Sequence, residues 1–71
     1  MNRTSVSSSN IRSIGYDPNT STLEIEFHNG RIYQYFHVPE RLYRELMRAP
    51  SLGTFFDNYI KKAGFNYRQI A

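Results

Sequence analysis

The chain has 71 residues, no cysteine and a net charge of +3, and its 39% hydrophobic content includes five Phe and six Tyr. A chain this short forms one domain, residues 1–71, whose small core depends on those large aromatic side chains. The lack of cysteine argues against a disulfide-stabilised secreted domain, and no apolar run is long enough to cross a bilayer, so we expect a cytoplasmic protein with no membrane partner.

The first ten residues are polar and rich in serine, and we expect residues 1–8 to be flexible. The first predicted strand is "IRSIGYD", in which Ile11, Ile14 and Tyr16 do not share one alternation. A β-bulge, or a strand that starts at Arg12, would bring their side chains to one face. The cluster "DPNTS" then predicts a turn.

The segment "TLEIEFHNGRIYQYF" predicts a β-hairpin. Apolar and polar residues alternate along "LEIEFH", and the dipeptide "NG" is the strongest short-range signal for a tight hairpin turn. Read as a two-residue loop, this turn pairs Glu26 with Tyr33 and Glu24 with Tyr35. The two tyrosines are then expected on the face of the sheet that points away from the core.

Two helices are predicted after the hairpin. The first runs from Pro39, which suits a helix start, to Pro50, and its apolar residues recur at helical spacing. Ser51 is positioned to cap the second, "SLGTFFDNYIKKAG", which Gly64 ends. The predicted fold is α+β, a three-stranded antiparallel β-meander followed by two α-helices packed on one face of the sheet.

Several of these segments together resemble the KTSC domain family. They are "IGYD", "LEIEFHNGRIYQY" with its central Tyr-x-Tyr, "VP" and "SLGTFF". Their order and spacing match from about Ser7 to about Phe65. The family is named for a module at the C-terminus of some lysyl-tRNA synthetases and also occurs as a small stand-alone bacterial protein, which this chain is similar to. The resemblance implies a role in RNA binding.

The tyrosines of the hairpin are the first candidate binding surface. Aromatic rings on an exposed sheet face, with cations beside them, stack unpaired bases in several small RNA-binding modules. The predicted platform consists of Tyr33, Tyr35, Arg31, Arg12 and His28. The alternative is cross-strand packing, in which Glu24 and Glu26 lie opposite the tyrosines and repel phosphates.

The basic second half of the chain supplies the other candidate surface. Residues 31–71 hold seven Lys and Arg against three Asp and Glu, whereas residues 1–30 hold two against three. Three arginines of the first helix form a predicted track for phosphates: Arg41, Arg44 and Arg48. The alternative is a solvated helix face, in which Glu40 and Glu45 pair with arginines one turn further on.

Nothing in the sequence indicates catalysis, a metal or a cofactor. The four glycines are scattered rather than grouped in a phosphate loop, and the two histidines lack the partners that a metal site needs. We therefore expect a non-enzymatic binding module whose partner is RNA, either tRNA or single-stranded. The alternative partner is another protein or a second copy, which would use the free edges of the sheet.

Overall fold

A computed structural model describes all 71 residues as a five-stranded antiparallel sheet with two helices. The strands follow the chain order and are β1 (Arg3–Ser5), β2 (Ile11–Asp17), β3 (Thr22–Phe27), β4 (Ile32–Tyr35) and β5 (Tyr67–Gln69). The helices are α1 (Glu40–Arg48) and α2 (Leu52–Tyr59), and a 3-10 turn follows at Lys61–Ala63. The α+β class and both helices are confirmed, but the sheet has two more strands than the predicted meander.

Both additional strands lie at the edges of the sheet. The segment 1–8, which we predicted to be flexible, contains β1, and its Arg3 pairs with Gly15 of β2. A Cβ atom at Gly15 would lie 2.8 Å from the carbonyl oxygen of Asn2, so only glycine allows the N-terminal segment to approach so closely. β5 pairs with β4 at the other edge.

Of the two alternatives that the sequence left open for β2, the structure shows the bulge. Pairing with β3 shifts between Ile11 and Ser13, and both Ile11 and Ile14 are fully buried. The extra residue at the bulge brings both isoleucines to the same face despite their odd spacing. They pack in one core with Leu46 of α1 and Phe56 of α2.

The hairpin between β3 and β4 has a three-residue loop instead of the predicted two-residue loop. The Phe27 N–H donates to the carbonyl oxygen of Arg31 at 2.9 Å, and the Gly30 N–H donates to that of Phe27 at 3.0 Å. Gly30 has a φ of +89°, as a three-residue loop with a glycine bulge requires. Tyr33 therefore lies opposite Ile25, not Glu26.

This one-residue slip reverses every side chain of β4, because side chains alternate across a strand. Tyr33 and Tyr35 share the face of Ile25, which the helices cover, and Tyr35 is only 6% exposed. The ring of Tyr35 lies 5.4 Å from that of Phe56, between ring centroids. Our prediction that the two tyrosines lie on the open face of the sheet, away from the core, is wrong for this physical reason.

Local signals set the starts of both helices and the end of α1, but α2 ends at Tyr59, before the predicted stop at Gly64. The Ser51 hydroxyl accepts the backbone N–H of Thr54 and caps α2, and Gly64 has a φ of +87° just after the 3-10 turn. α1 begins directly after Pro39 and ends before Pro50. Neither helix has the length and apolar content that a bilayer-spanning segment needs.

Candidate functional site

An open groove of about 500 Å³ lies between α2 and the tyrosine-bearing face of the sheet. Five aromatic rings line it: Phe27, Tyr33, Tyr35, Phe56 and Tyr67. Five charged or amide side chains complete its polar lining: Asn10, Asn29, Arg31, Asp57 and Lys61. An aromatic floor with a few polar groups is typical of a small-ligand site, and the volume falls within the usual range for such sites.

Three tyrosines with increasing solvent exposure form a cluster along one side of the groove. The alternation of β4 brings Tyr33 and Tyr35 to one face, and β5 places Tyr67 directly opposite Tyr35. The ring centroids are 5.6 Å apart for Tyr35 and Tyr67 and 6.0 Å apart for Tyr33 and Tyr67. Tyr35 is buried, Tyr33 is half-buried and Tyr67 is 63% exposed, so the cluster runs from the core to the solvent.

Contacts around the cluster fix the inner rings. Phe56 and Phe27 pack edge-to-face at 5.7 Å, and Phe27 packs against Tyr33 at 5.9 Å. The Tyr33 hydroxyl donates to Oε1 of Gln69 at 3.2 Å, which ties β4 to the edge strand. Aromatic pairs at such distances contribute stability beyond the area they bury. The floor of the groove is therefore preformed in the protein.

Burial, and to a lesser extent the neighbouring Tyr33, Tyr67 and Asp57, raises the pKa of Tyr35 from 10.0 to about 12. The phenol is consequently neutral at physiological pH and serves as packing surface, not as a charged group. The two cations, Arg31 and Lys61, outnumber the one carboxylate in the groove. The groove thus combines apolar ring surface with a net positive charge.

Asp57 carries an unpaired carboxylate. It forms no ion pair or hydrogen bond in the structure, although Lys61 follows it by one helical turn. A carboxylate of this kind accepts hydrogen bonds from an N–H or hydroxyl donor. It is the only anionic group among the residues that line the groove.

The structure brings together three of the predicted binding residues, Tyr33, Tyr35 and Arg31, within this groove. Arg12 does not line it: its Nη2 donates to the carbonyl oxygen of His28 at 3.3 Å beside the hairpin loop. The predicted grouping of Tyr33, Tyr35 and Arg12 on one open platform is therefore wrong, because the slip in the hairpin separates them.

The arginines of α1 also lie outside the groove. Nε of Arg41 lies 3.1 Å from Oε1 of Glu45, and Nη1 of Arg44 lies 3.2 Å from Oε2 of Glu40. Both are exposed ion pairs spaced by four residues. The Glu40 pair is the predicted one, whereas Glu45 pairs with Arg41 one turn earlier and not with Arg48. Arg48 is exposed on the same helix and forms no ion pair.

Sequence reasoning missed several groups of the groove. Tyr67 lies after the predicted second helix, in a segment for which the sequence predicts no strand, and the three residues of β5 show no apolar alternation that would have indicated one. Asp57 and Lys61 are four residues apart, so they lie on one side of a helix and its continuation. No local pattern connected them with the tyrosines, because β5 and α2 meet only in the folded chain.

The open face of the sheet carries a self-contained polar network in place of the predicted platform. Glu24 is only 5% exposed, pairs with the guanidinium of Arg3 and accepts Nε2 of Gln34 at 2.9 Å. The Ser13 hydroxyl accepts Nε of Arg3 at 3.0 Å and donates to Glu26 at 2.8 Å. Because these charges and donors satisfy one another, the face has little left to offer a ligand.

Comparisons with known proteins agree on one family. The model of the KTSC domain matches residues 7–65. The crystal structure of a KTSC domain protein from Yersinia pestis is 51% identical, with a TM-score of 0.90, and the match covers 99% of this chain and 97% of that one. A protein of Stutzerimonas stutzeri described as uncharacterised is 40% identical over 70 residues, which is 99% of both chains.

A different kind of relative is a lysine–tRNA ligase from a Nostoc species. It is 44% identical over 61 residues, which are 86% of this chain but only 11% of the ligase. The likeness therefore concerns one small part of that enzyme.

Proposed function

The chain belongs to the KTSC domain family, and from that premise we propose that it is a non-enzymatic module that binds single-stranded RNA in the aromatic groove. The observation that carries the proposal is the tyrosine cluster, which is open to solvent at Tyr67 and has Arg31 and Lys61 in the same groove. Ring surface combined with cations is the usual means of holding unpaired nucleotides. The relationship to a ligase that acts on tRNA supports RNA as the class of ligand.

The ring surface would hold a base. Tyr67 is 63% exposed and Tyr33 is half-buried, so both offer ring surface to a planar ligand, whereas the buried Tyr35 supports them from below. The volume of about 500 Å³ suits one nucleotide rather than a duplex. Stacking of one base on such a ring contributes about 1–3 kcal/mol.

The cations would hold the flanking phosphates. Arg31 follows the hairpin loop and Lys61 follows α2, so the two charges come from different elements of the groove lining. Phosphate contacts of this kind make affinity dependent on salt. Two neutralised phosphates correspond to a slope of about −1.4 in a plot of log affinity against log salt for a single strand.

The test is a binding titration of the protein with a fluorescently labelled single-stranded RNA of mixed sequence. We expect Tyr67→Ala to weaken binding by about 5- to 150-fold, as the loss of one stacked base requires. Tyr59→Ala is the matched control, because Tyr59 is 57% exposed on α2 but does not line the groove. Equal losses in the two variants, or none in Tyr67→Ala, would contradict the proposal.

The cations are tested in the same way. Arg31→Ala should weaken binding and make the salt slope shallower by about 0.7, the share of one phosphate contact. Arg48→Ala is the control, because this exposed arginine lies on α1, outside the groove. An unchanged salt slope in Arg31→Ala would mean that Arg31 contacts no phosphate, which would contradict this part of the proposal.

A second candidate function is association with a protein or with another copy of the chain. The observation that favours it is the β5 edge of the sheet, where Tyr67 and Ile70 are 63% and 43% exposed. An open edge strand with apolar side chains is a template for strand pairing. Sedimentation equilibrium separates the two candidates, since a dimer without RNA affinity would favour this one.

A further inference from the structure

His28 joins the hairpin loop to the segment that leads into β2. It directly follows β3, and its N–H, its ring and its carbonyl oxygen are each bound by a different residue of that segment. The N–H donates to the carbonyl oxygen of Asn10 at 2.9 Å, and the ring Nε2 lies 2.8 Å from the carbonyl oxygen of Ser8. The carbonyl oxygen accepts Nη2 of Arg12 at 3.3 Å. The loop is therefore held from outside the hairpin as well as by its own hydrogen bonds.

The two segments that His28 joins build part of the aromatic groove. Asn10 belongs to the first segment, Asn29 lies in the hairpin loop and Arg31 follows it; all three line the groove, whereas His28 does not. The Arg31 N–H donates to Oδ1 of Asn29 at 3.0 Å, so the position of this arginine depends on that of the loop. A side chain that fixes the loop without touching a ligand can thus set where the guanidinium of Arg31 lies.

The contact between the ring of His28 and Ser8 requires a hydrogen on Nε2. A carbonyl oxygen only accepts hydrogen bonds, so Nε2 is the donor. The neutral ring protonated at Nε2 and the imidazolium both supply this donor, so the contact needs no charge. Glutamine offers a neutral N–H donor in its place, whereas phenylalanine keeps a ring but has no donor.

We propose that His28 is a positioning residue of the aromatic groove, which holds the hairpin loop so that Arg31 meets a phosphate of the bound strand. The inference rests on the proposed RNA binding in this groove and adds to it a residue outside the lining. It also gives Arg12 a role, because the guanidinium supports the loop at the carbonyl oxygen of His28. Since His28 acts through Arg31, its replacement weakens binding by no more than the loss of Arg31 itself.

The test is a double-mutant cycle on the affinity for a labelled single-stranded RNA of mixed sequence. We expect His28→Phe to weaken binding by about 3- to 10-fold, the share of one hydrogen bond, and His28→Gln to stay within about twofold of the wild type. In the Arg31→Ala background, His28→Phe should change the affinity by less than about twofold, because the residue through which it acts is gone. An effect of full size in that background would show that His28 acts independently of Arg31 and would overturn the inference.

NMR relaxation of the free, isotope-labelled protein tests the positioning without RNA. We expect the backbone of Asn29–Arg31 to become more mobile in His28→Phe and to stay as in the wild type in His28→Gln. His37→Asn is the control, because this exposed histidine does not line the groove and asparagine tolerates its φ of +58°. Its loop mobility and RNA affinity should match the wild type. A loop that is as rigid in His28→Phe as in the wild type would contradict the positioning role.

The outcomes also separate the inference from the function on which it rests. If the wild type binds RNA and His28→Phe binds it equally well, the positioning role is wrong and the groove stands as the binding site. If no single-stranded RNA binds to the wild type, both the proposed function and the inference are wrong.

Discussion

Replacing Tyr35 with phenylalanine tests which face of the sheet the tyrosines occupy. Tyr35 is 6% exposed, and its pKa is raised from 10.0 to about 12, chiefly by burial. The pKa of Tyr35 is higher in the folded protein than in the unfolded chain. The stabilisation that comes from keeping this phenol neutral is therefore fully present below pH 10 and is lost as the pH rises through about 12. At about 1.4 kcal/mol per pKa unit, this loss amounts to about 2.7 kcal/mol.

The assay is urea unfolding of the wild type and of Tyr35→Phe at about pH 9, below both pKa values, and at about pH 12, where half of the folded phenol is ionised. We expect the wild type to lose about 2.3 kcal/mol more than the variant over this interval, which is most of the full loss. Tyr59→Phe, with its phenol largely in solvent, should behave like the wild type. Equal alkaline losses in wild type and Tyr35→Phe would place Tyr35 on the open face and refute the observed register.

Three further substitutions test the fold by urea unfolding at neutral pH. Gly30→Ala places a side chain at a φ of +89° and should cost about 1–2 kcal/mol; no cost would contradict the left-handed conformation of Gly30 at the end of the hairpin loop. Arg3→Ala removes the cation that pairs with the buried Glu24 and should cost about 1–3 kcal/mol, which Glu24→Gln in the same chain should partly restore. Ile14→Ala empties a fully buried position and should cost about 2–5 kcal/mol, whereas a cost below about 1 kcal/mol would contradict the position of the β2 bulge.

Features with local causes were predictable from the sequence. The bulge in β2 followed from the odd spacing of Ile11 and Ile14, and the second helix started at the Ser51 cap as expected. The left-handed conformation of Gly64, which ends the 3-10 turn, also has a local cause. Each of these signals lies within a few residues of the feature that it specifies, so no knowledge of the folded chain was needed.

The register of the hairpin was not predictable in this way. The dipeptide "NG" fits both a two-residue and a three-residue loop, since Gly30 has a positive φ in either. The first alternative places Ile32 and Phe36 on the core face, and the second places Tyr33 and Tyr35 there, so the apolar pattern is nearly balanced. Contacts in the folded chain favour the second: Nε2 of Gln34 donates to Glu24 on the open face, and Tyr35 packs on Phe56 in the core.

The two edge strands, β1 and β5, were not predicted from the sequence for a related reason. β1 and β5 have three residues each, and all six residues are exposed. Such strands are specified by backbone pairing with a neighbour, not by an apolar alternation of their own. Since β5 supplies Tyr67, the sequence identified the inner tyrosines of the candidate site but not the exposed ring.

The most direct test of RNA binding in the aromatic groove is an NMR titration of the isotope-labelled chain with single-stranded RNA. We expect the largest shifts at groove residues, with Tyr33, Tyr67 and Lys61 among them, and little change at Gln34 on the open face. Shifts confined to the open face or to α1, or no shifts at RNA concentrations that saturate other small RNA-binding modules, would contradict this account.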